Sequence, residues 1–295
     1  MTTDLRAATA FMATHARTLD RRRFDVLVGD GAPDDVLAAV DGCRNADGGY
    51  GWGLEPDLRS PESQPGGALH AFEAFVDAAP ATTRRAKELC DWLASVTLPD
   101  GGLPFALPVT DPAGCAPFWA EADSATSSLH ITSAVTAMAH RVGRHDPDVA
   151  AHPWLAQATA YCLSAIDSMS DAPHALEVMF VLGFLDAVAD QRPDAAGLID
   201  RVGKAIPPSG SMHVAGGQAD EAIHPLDFAP EPDRPVRKLF ADDAVAADLA
   251  RLAGLQADDG GWTVDFTSYS PMAALEWRGY MTVRAVSILR TNGLA

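Results

Sequence analysis

Several things are scarce in this chain, and each scarcity excludes a class. Basic residues number 22 against 40 acidic ones, a formal charge of −18. Phosphate backbones and anionic membranes are bound through Lys/Arg patches, so nucleic acid is not an expected partner. No run of about 20 apolar residues occurs, so no membrane span is expected. The N-terminal stretch begins with an acid and ends in a basic cluster, Arg21-Arg22-Arg23, which is not the order of a signal peptide. The four cysteines, Cys43, Cys90, Cys115 and Cys162, are far apart and form no CxxC pair. They read as free core thiols in a reducing compartment, and the expected location is cytoplasmic. Walker, strand-associated GxGxxG, HExxH and GxSxG patterns are all missing, and no cofactor is expected. No strand-rich region is visible.

What is present is a globular composition, 47% hydrophobic and 21% charged over 295 residues, and a repeated turn. Asp47-Gly48-Gly49 recurs at Asp100-Gly101-Gly102 and Asp259-Gly260-Gly261. The first spacing is 53 residues and the second 159, three times as long. A fixed period marks a repeat architecture. Between the turns, helical patterns alternate. Amphipathic segments fall at Leu5–Thr18, Asp34–Cys43, Thr82–Val96, Pro153–Asp167, Ala195–Ile206 and Asp242–Leu255. Nearly apolar ones fall at Pro65–Ala79, Ser124–Val142, Ala175–Asp190 and Pro271–Thr291, with Pro235–Phe240 as a shortened fourth-unit member. Ser124 or Thr126 is a suitable cap for the second apolar helix. The expectation is a single all-α domain over 1–295, an α/α toroid of outer and inner helices in about five hairpins. Each pair needs its neighbours to bury the inner helix. An unclosed helical solenoid is the alternative.

The stretch Asn45–Pro65 concentrates the chemistry. After Tyr50, Trp52 and Leu54 come Glu55, Asp57, Arg59 and Glu62, just ahead of a Pro-initiated helix. Two carboxylates in a partly apolar site push one pKa up and yield an acid and a base. Arg59 either neutralises them or binds an anionic group. Glu121 and Asp123, preceded by Phe118 and Trp119, form a second acid–aromatic group suited to cation stabilisation. Both pairs also read as structural ion pairs or helix caps, as do Asp47, Asp171 and Asp265. His70 and His130 sit about one turn into two apolar helices and His174 begins a third. They read as core or substrate-facing residues, with a metal site as the alternative. Glu276, Trp277 and Arg278 lie midway along the last helix, where a charge needs a cavity or a partner. Tyr269 precedes that helix. His213 and His224 lie in the irregular Met212–Arg234 segment, a candidate lid.

Gln256-Ala-Asp-Asp-Gly260-Gly-Trp262 matches QxxxGxW, the repeat signature of the terpenoid cyclase and protein prenyltransferase superfamily, whose fold is an α/α toroid. Arg44–Tyr50 and Thr97–Leu103 are degenerate copies. The chain also resembles small bacterial proteins carrying prenyltransferase/squalene-oxidase repeats. Class II cyclases protonate an alkene with an acid of a DxDD motif. Glu121-Ala-Asp123-Ser124 stands in a similar place, with Ser124 where the last acid would be. The Asp-x-x-Ser-Cys zinc run of the prenyltransferases is missing. The resemblance implies a cyclase or isomerase acting on a hydrophobic or isoprenoid-like small molecule at the barrel mouth. Glu55, Asp57, Glu121 and Asp123 are the candidate catalytic acids, with Asp57 or Asp123 as proton donor. Arg59, Trp52, Trp119, His70, His130, Tyr269, Glu276 and Trp277 are the candidate substrate-binding residues. Two other readings stay open: a non-catalytic ligand-binding or protein-interaction toroid, and a carbohydrate-active α/α barrel with paired carboxylates.

Overall fold

The computed structural model describes residues 3–295. It is all-α: fourteen α-helices, two 3₁₀ turns and one two-residue β-hairpin make up the regular structure of the described residues. By packing density the chain divides into two compact units, Ala32–Ser170 and the described residues up to Gly31 together with Asp171–Ala295. No helix among the described residues is long and apolar enough to cross a membrane.

The Ala32–Ser170 unit contains α3 (Pro33–Val40), a 3₁₀ turn (Asp41–Cys43), α4 (Pro65–Asp77), α5 (Arg84–Val96), α6 (Pro117–Ala120), α7 (Leu129–Gly143), α8 (Pro147–Ala150) and α9 (Pro153–Asp167). Its centre is the α4–α7 pair, packed more extensively than any other two helices. Both are buried on most sides, as a helix that is apolar nearly all round must be. Helix α5 buries a single stripe, Ala86, Leu89, Cys90, Trp92 and Leu93, and turns its charges outward. Helix α9 buries Trp154, Leu155, Ala158, Cys162 and Ile166 and packs on α5 and α7.

The second unit contains α1 (Leu5–His15), α2 (Thr18–Val28), α10 (Ala175–Val188), α11 (Ala195–Gly203), the hairpin β1 (Met212–His213) and β2 (Ala222–Ile223), and α12 (Pro225–Phe228). A 3₁₀ turn (Pro235–Leu239), α13 (Asp242–Gly254) and α14 (Pro271–Thr291) complete it. Helix α14 packs against α1, α2 and α13, and α10 against α11, α12 and the 3₁₀ turn.

Four boundaries differ from expectation for local reasons. The segment expected as one helix to Thr18 ends at His15, and a separate α2 comes next, closed by Gly29 in a left-handed conformation at φ 91°. The helix expected from Ser124 begins at Leu129. Residues 123–127 form a turn instead, and the cap is Ser128, whose hydroxyl accepts the Ile131 N–H. Pro235–Phe240 forms a 3₁₀ turn and no α-helix. The Met212–Arg234 segment holds the hairpin and the short α12.

Candidate functional site

The three Gly-Gly turns have the same hydrogen bonds. In each, a backbone N–H of the stem reaches the carbonyl of the second glycine at 2.9 Å: Asn45 to Gly49, Leu98 to Gly102, Ala257 to Gly261. The aspartate carboxylate accepts the N–H of that same glycine at 2.9, 3.1 and 3.1 Å. The first glycine lies at φ 95°, 94° and 92°, which a residue with a Cβ adopts only under strain. Each turn docks on an amphipathic helix of its own unit: Gly48 and Gly49 on α5, Gly101 and Gly102 on α9, Gly260 and Gly261 on α1. The residue after each turn, Tyr50, Leu103 or Trp262, is fully buried. A turn that ends in a large apolar side chain thus pins a stem and fills the core beneath it.

The loop between Tyr50 and α4 is unusual. Gly51, Gly53–Leu58, Ser60, Ser63 and Gln64 are all buried, although the segment has no regular structure. A buried loop must pair its backbone groups internally. Here Trp52 N–H donates to Ser60 O, Leu58 N–H to Glu55 O and Gln64 N–H to Tyr50 O. The backbone passes so close to α4 that a Cβ at Gly67 would strike the Tyr50 carbonyl oxygen.

This loop carries Glu55 against His70 of α4. The Glu55 Oε2 accepts from His70 Nε2 at 2.8 Å, and Glu73 Oε2 accepts from His70 Nδ1 at 2.9 Å. Both ring nitrogens of His70 thus face carboxyl oxygens, an arrangement that favours the doubly protonated ring. His70 and Glu55 are buried and Glu73 nearly so. Burial opposes the charge on His70, but the charges and hydrogen bonds of Glu73 and Glu55 outweigh it and lift its pKa to about 9. The other oxygen of Glu55 accepts the Asp57 N–H at 3.1 Å. Asp57 is itself 4% exposed.

The proline-rich segment 104–118 lies over this loop. Gln64 makes a reciprocal pair with the Leu107 backbone, donating to its carbonyl at 3.0 Å and accepting its N–H at 2.8 Å. Asp57 O accepts the Ala116 N–H at 2.8 Å. Glu62 takes hydrogen bonds from the Ser60 hydroxyl and the Thr110 N–H, which lower its pKa to about 2. Held this way, the segment and α6 bring Trp119 to α4. Its indole edge and Glu55 both border the bare Cα of Gly66. Trp119 stacks on Phe105 at 4.3 Å and 11°, and Phe105 meets His130 of α7 edge-on at 5.3 Å. Glu55, Asp57, His70, Trp119 and His130 are thereby brought into one neighbourhood, joined by Glu73 and Phe105. Glu73 was legible as the residue three places along a helix from His70. Phe105, inside an irregular insertion, carried no signal.

Other expected residues lie apart. Glu121 and Asp123 are exposed. Asp123 accepts from the Thr126 hydroxyl at 2.6 Å and the Ala125 N–H at 2.9 Å, and these bonds lower its pKa. It sits as a turn-forming anion, a setting opposite to that of a proton donor. Arg59 is half-buried, laid across Gly53 and Gly114. Trp52 is 59% exposed at φ 56°, its indole N–H on Asn45 Oδ1 at 2.8 Å. In the other unit, Tyr269 is 44% exposed. Glu276 lies in the field of the half-buried Arg17, and Trp277 meets Phe266 and Tyr280 edge-on. His174 caps α10, accepting the Leu176 N–H on Nδ1 and donating from Nε2 to Ala215 O. His70 has both nitrogens committed to carboxylates. Among the described residues no group of three or more His, Cys, Asp and Glu side chains is arranged to hold a metal ion.

No protein-family model matches the chain, and no curated protein matches it in sequence.

Proposed function

We propose that this chain is an α/α toroid of the terpenoid cyclase kind. In this reading it is a cyclase or isomerase for a hydrophobic, isoprenoid-like small molecule, working in the cytoplasm. The three matching turns and the alternation of apolar and amphipathic helices support the architecture. Four free cysteines suit a reducing compartment. The single observation that carries the chemistry is the buried Glu55–His70–Glu73 cluster. Burying ionised groups costs more than filling the same space with apolar side chains, and this cost supports reading the cluster as a working site.

His70 turns its two ring nitrogens to Glu55 and Glu73 and holds both side chains in place. Asp57, buried two residues from Glu55, is the proton donor of this proposal. Its carboxyl proton adds to the substrate double bond, and the cation so formed is stabilised by Glu55, Glu73 and the Trp119 ring. Loss of a proton from the neighbouring carbon back to the Asp57 carboxylate closes the cycle. The test incubates the purified chain with isoprenoid diphosphates and free isoprenoids, reading melting temperature and products by mass spectrometry. An isoprenoid should raise the melting temperature. Asp57→Asn should cut product at least about 100-fold while that shift persists, and Asp123→Asn should match the wild type. Product loss in Asp123→Asn alone overturns the assignment.

A second reading, a toroid that binds without catalysis, is favoured by the exposed, low-pKa Asp123 and the exposed Glu121. Ligand-induced stabilisation with no product, unchanged in Asp57→Asn, would select it.

A further inference from the structure

The acids of the proposed site are shut away from solvent. Glu55 is 6%, Asp57 4% and His70 3% exposed, so a small molecule meets them only when something moves. Within the Ala32–Ser170 unit the neighbours differ in how firmly they are held. Helices α4 and α7 are its packed centre. The loop ahead of α4 is buried and closed by its own backbone hydrogen bonds. Residues 104–116 have no regular structure, the short α6 follows them, and positions 110–114 at the tip are all exposed.

This strap lies along the acidic loop through few bonds. The Gln64 amide pairs with the Leu107 backbone at 2.8 and 3.0 Å, Glu62 accepts the Thr110 N–H at 3.2 Å, and Asp57 O accepts the Ala116 N–H at 2.8 Å. Leu58 and Cys115 face each other as an antiparallel pair. The two ends of the strap meet beside Glu55: Trp119 borders Gly66 there and stacks on Phe105. Pro104, Pro108, Pro112 and Pro117 fix φ at four points and stiffen the strap. A stiff segment with few attachments opens as a unit rather than residue by residue.

We propose, on the reading of Glu55 and Asp57 as catalytic acids, that residues 104–119 are a cover that lifts to admit the substrate, with the Gln64 amide as its latch and Trp119 as the side chain that uncovers Glu55. Gln64 suits the latch role. It is 1% exposed, its side chain does not cap α4, and both ends of its amide are spent on one strap residue 43 positions away. A hydrogen-bonded latch opens at modest net cost, because water replaces both bonds once the strap lifts.

Amide exchange followed by NMR tests the motion without any ligand. The N–H groups of Leu107 and Ala116 should exchange at one common rate, at least about 10-fold faster than those of α4 and α7. Gln64→Met keeps the length of the side chain and removes the amide. It should speed both strap amides by about 10-fold and leave α4 unchanged. Acceleration at Leu107 alone makes Gln64 a local bond only and overturns the proposal.

A second variant acts in the opposite direction. The Ala116–Asp57 bond flanks the Leu58–Cys115 pair and leaves that pair non-hydrogen-bonded, the type whose Cα atoms stand about 4.5 Å apart and accept a disulfide. In Leu58→Cys, oxidation to a disulfide with Cys115 should clamp the strap and slow both amides at least about 10-fold. Turnover of farnesyl diphosphate should fall by a similar factor, and reductant should restore both. Equal turnover in the oxidised and reduced forms overturns the entrance role. Slowed exchange with no product from either form leaves the cover in place and sinks the proposed reaction instead.

Discussion

The turns at 44–50 and 256–262 share a backbone and differ in almost everything attached to it. The later one is closed by amide and indole groups that bond the backbone directly, and the chain after it, residues 263–270, is half-buried or exposed. The earlier one is closed by an arginine and a tyrosine, and the chain after it is buried for most of the way to α4. The lesson is a division of labour. At the later turn the Gln256 amide and the Trp262 indole find fixed backbone partners at Asp4, Gly260 and Leu252. At the earlier turn the adjoining loop is buried and carries Glu55, which bonds His70 of α4.

The contrast is broken most forcefully by removing the plug of the later turn. Trp262→Ala should cost about 3–5 kcal/mol, measured by denaturant unfolding; a loss below about 1 kcal/mol would mean the turn does not depend on its core side chain. The ionic side is next. The His70 pKa is raised to about 9 from its ordinary 6.5. Its contribution is therefore fully present below pH 6.5 and lost as pH rises through 9, roughly 3 kcal/mol in all. His70→Gln should flatten the fall in stability between those pH values, and an unchanged pH profile would show that the cluster is not ionised as described.

The glycines sharpen the comparison at the next level. Gly260→Ala meets both a left-handed φ and the Ala7 carbonyl oxygen, whereas Gly101→Ala meets the same φ with its nearest neighbour at 3.3 Å. Costs of about 3 and about 1 kcal/mol are expected, and equal losses in thermal unfolding would dismiss the role of the α1 contact. The smallest effects concern the stem residues. Gln256→Ala removes three hydrogen bonds and should cost about 1–2 kcal/mol. Arg44→Ala, at a partly exposed ion pair, should cost under about 1 kcal/mol. The reverse order would mean that the arginine has become the stronger closure.

Helix type and order were legible because periodicity and composition are local. Pro153–Asp167 and Pro271–Thr291 are bounded as expected, since a proline opens each and a polarity change ends it. The start of α7 was misjudged because Ser124, Thr126 and Ser128 are chemically alternative caps. Only the pairing of Ser127 with Asp100 selects among them, by committing the chain before Ser128 to the turn. Glu55 and Asp57 stood out for their crowding next to aromatics, and they are buried. Asp123 stood out in the same way and lies in water. No pattern within a few residues separates these two cases.

Sequence alone determined the helical alternation, the recurrent turn and the acidic surface, because each depends on neighbours along the chain. Tertiary structure alone decided that His70 lies between two carboxylates and that Phe105 stacks on Trp119. Burial and partner geometry set ionisation and hydrogen-bond satisfaction. Both depend on residues distant in the chain, such as Glu55 and His70, fifteen positions apart, that only packing brings within 2.8 Å.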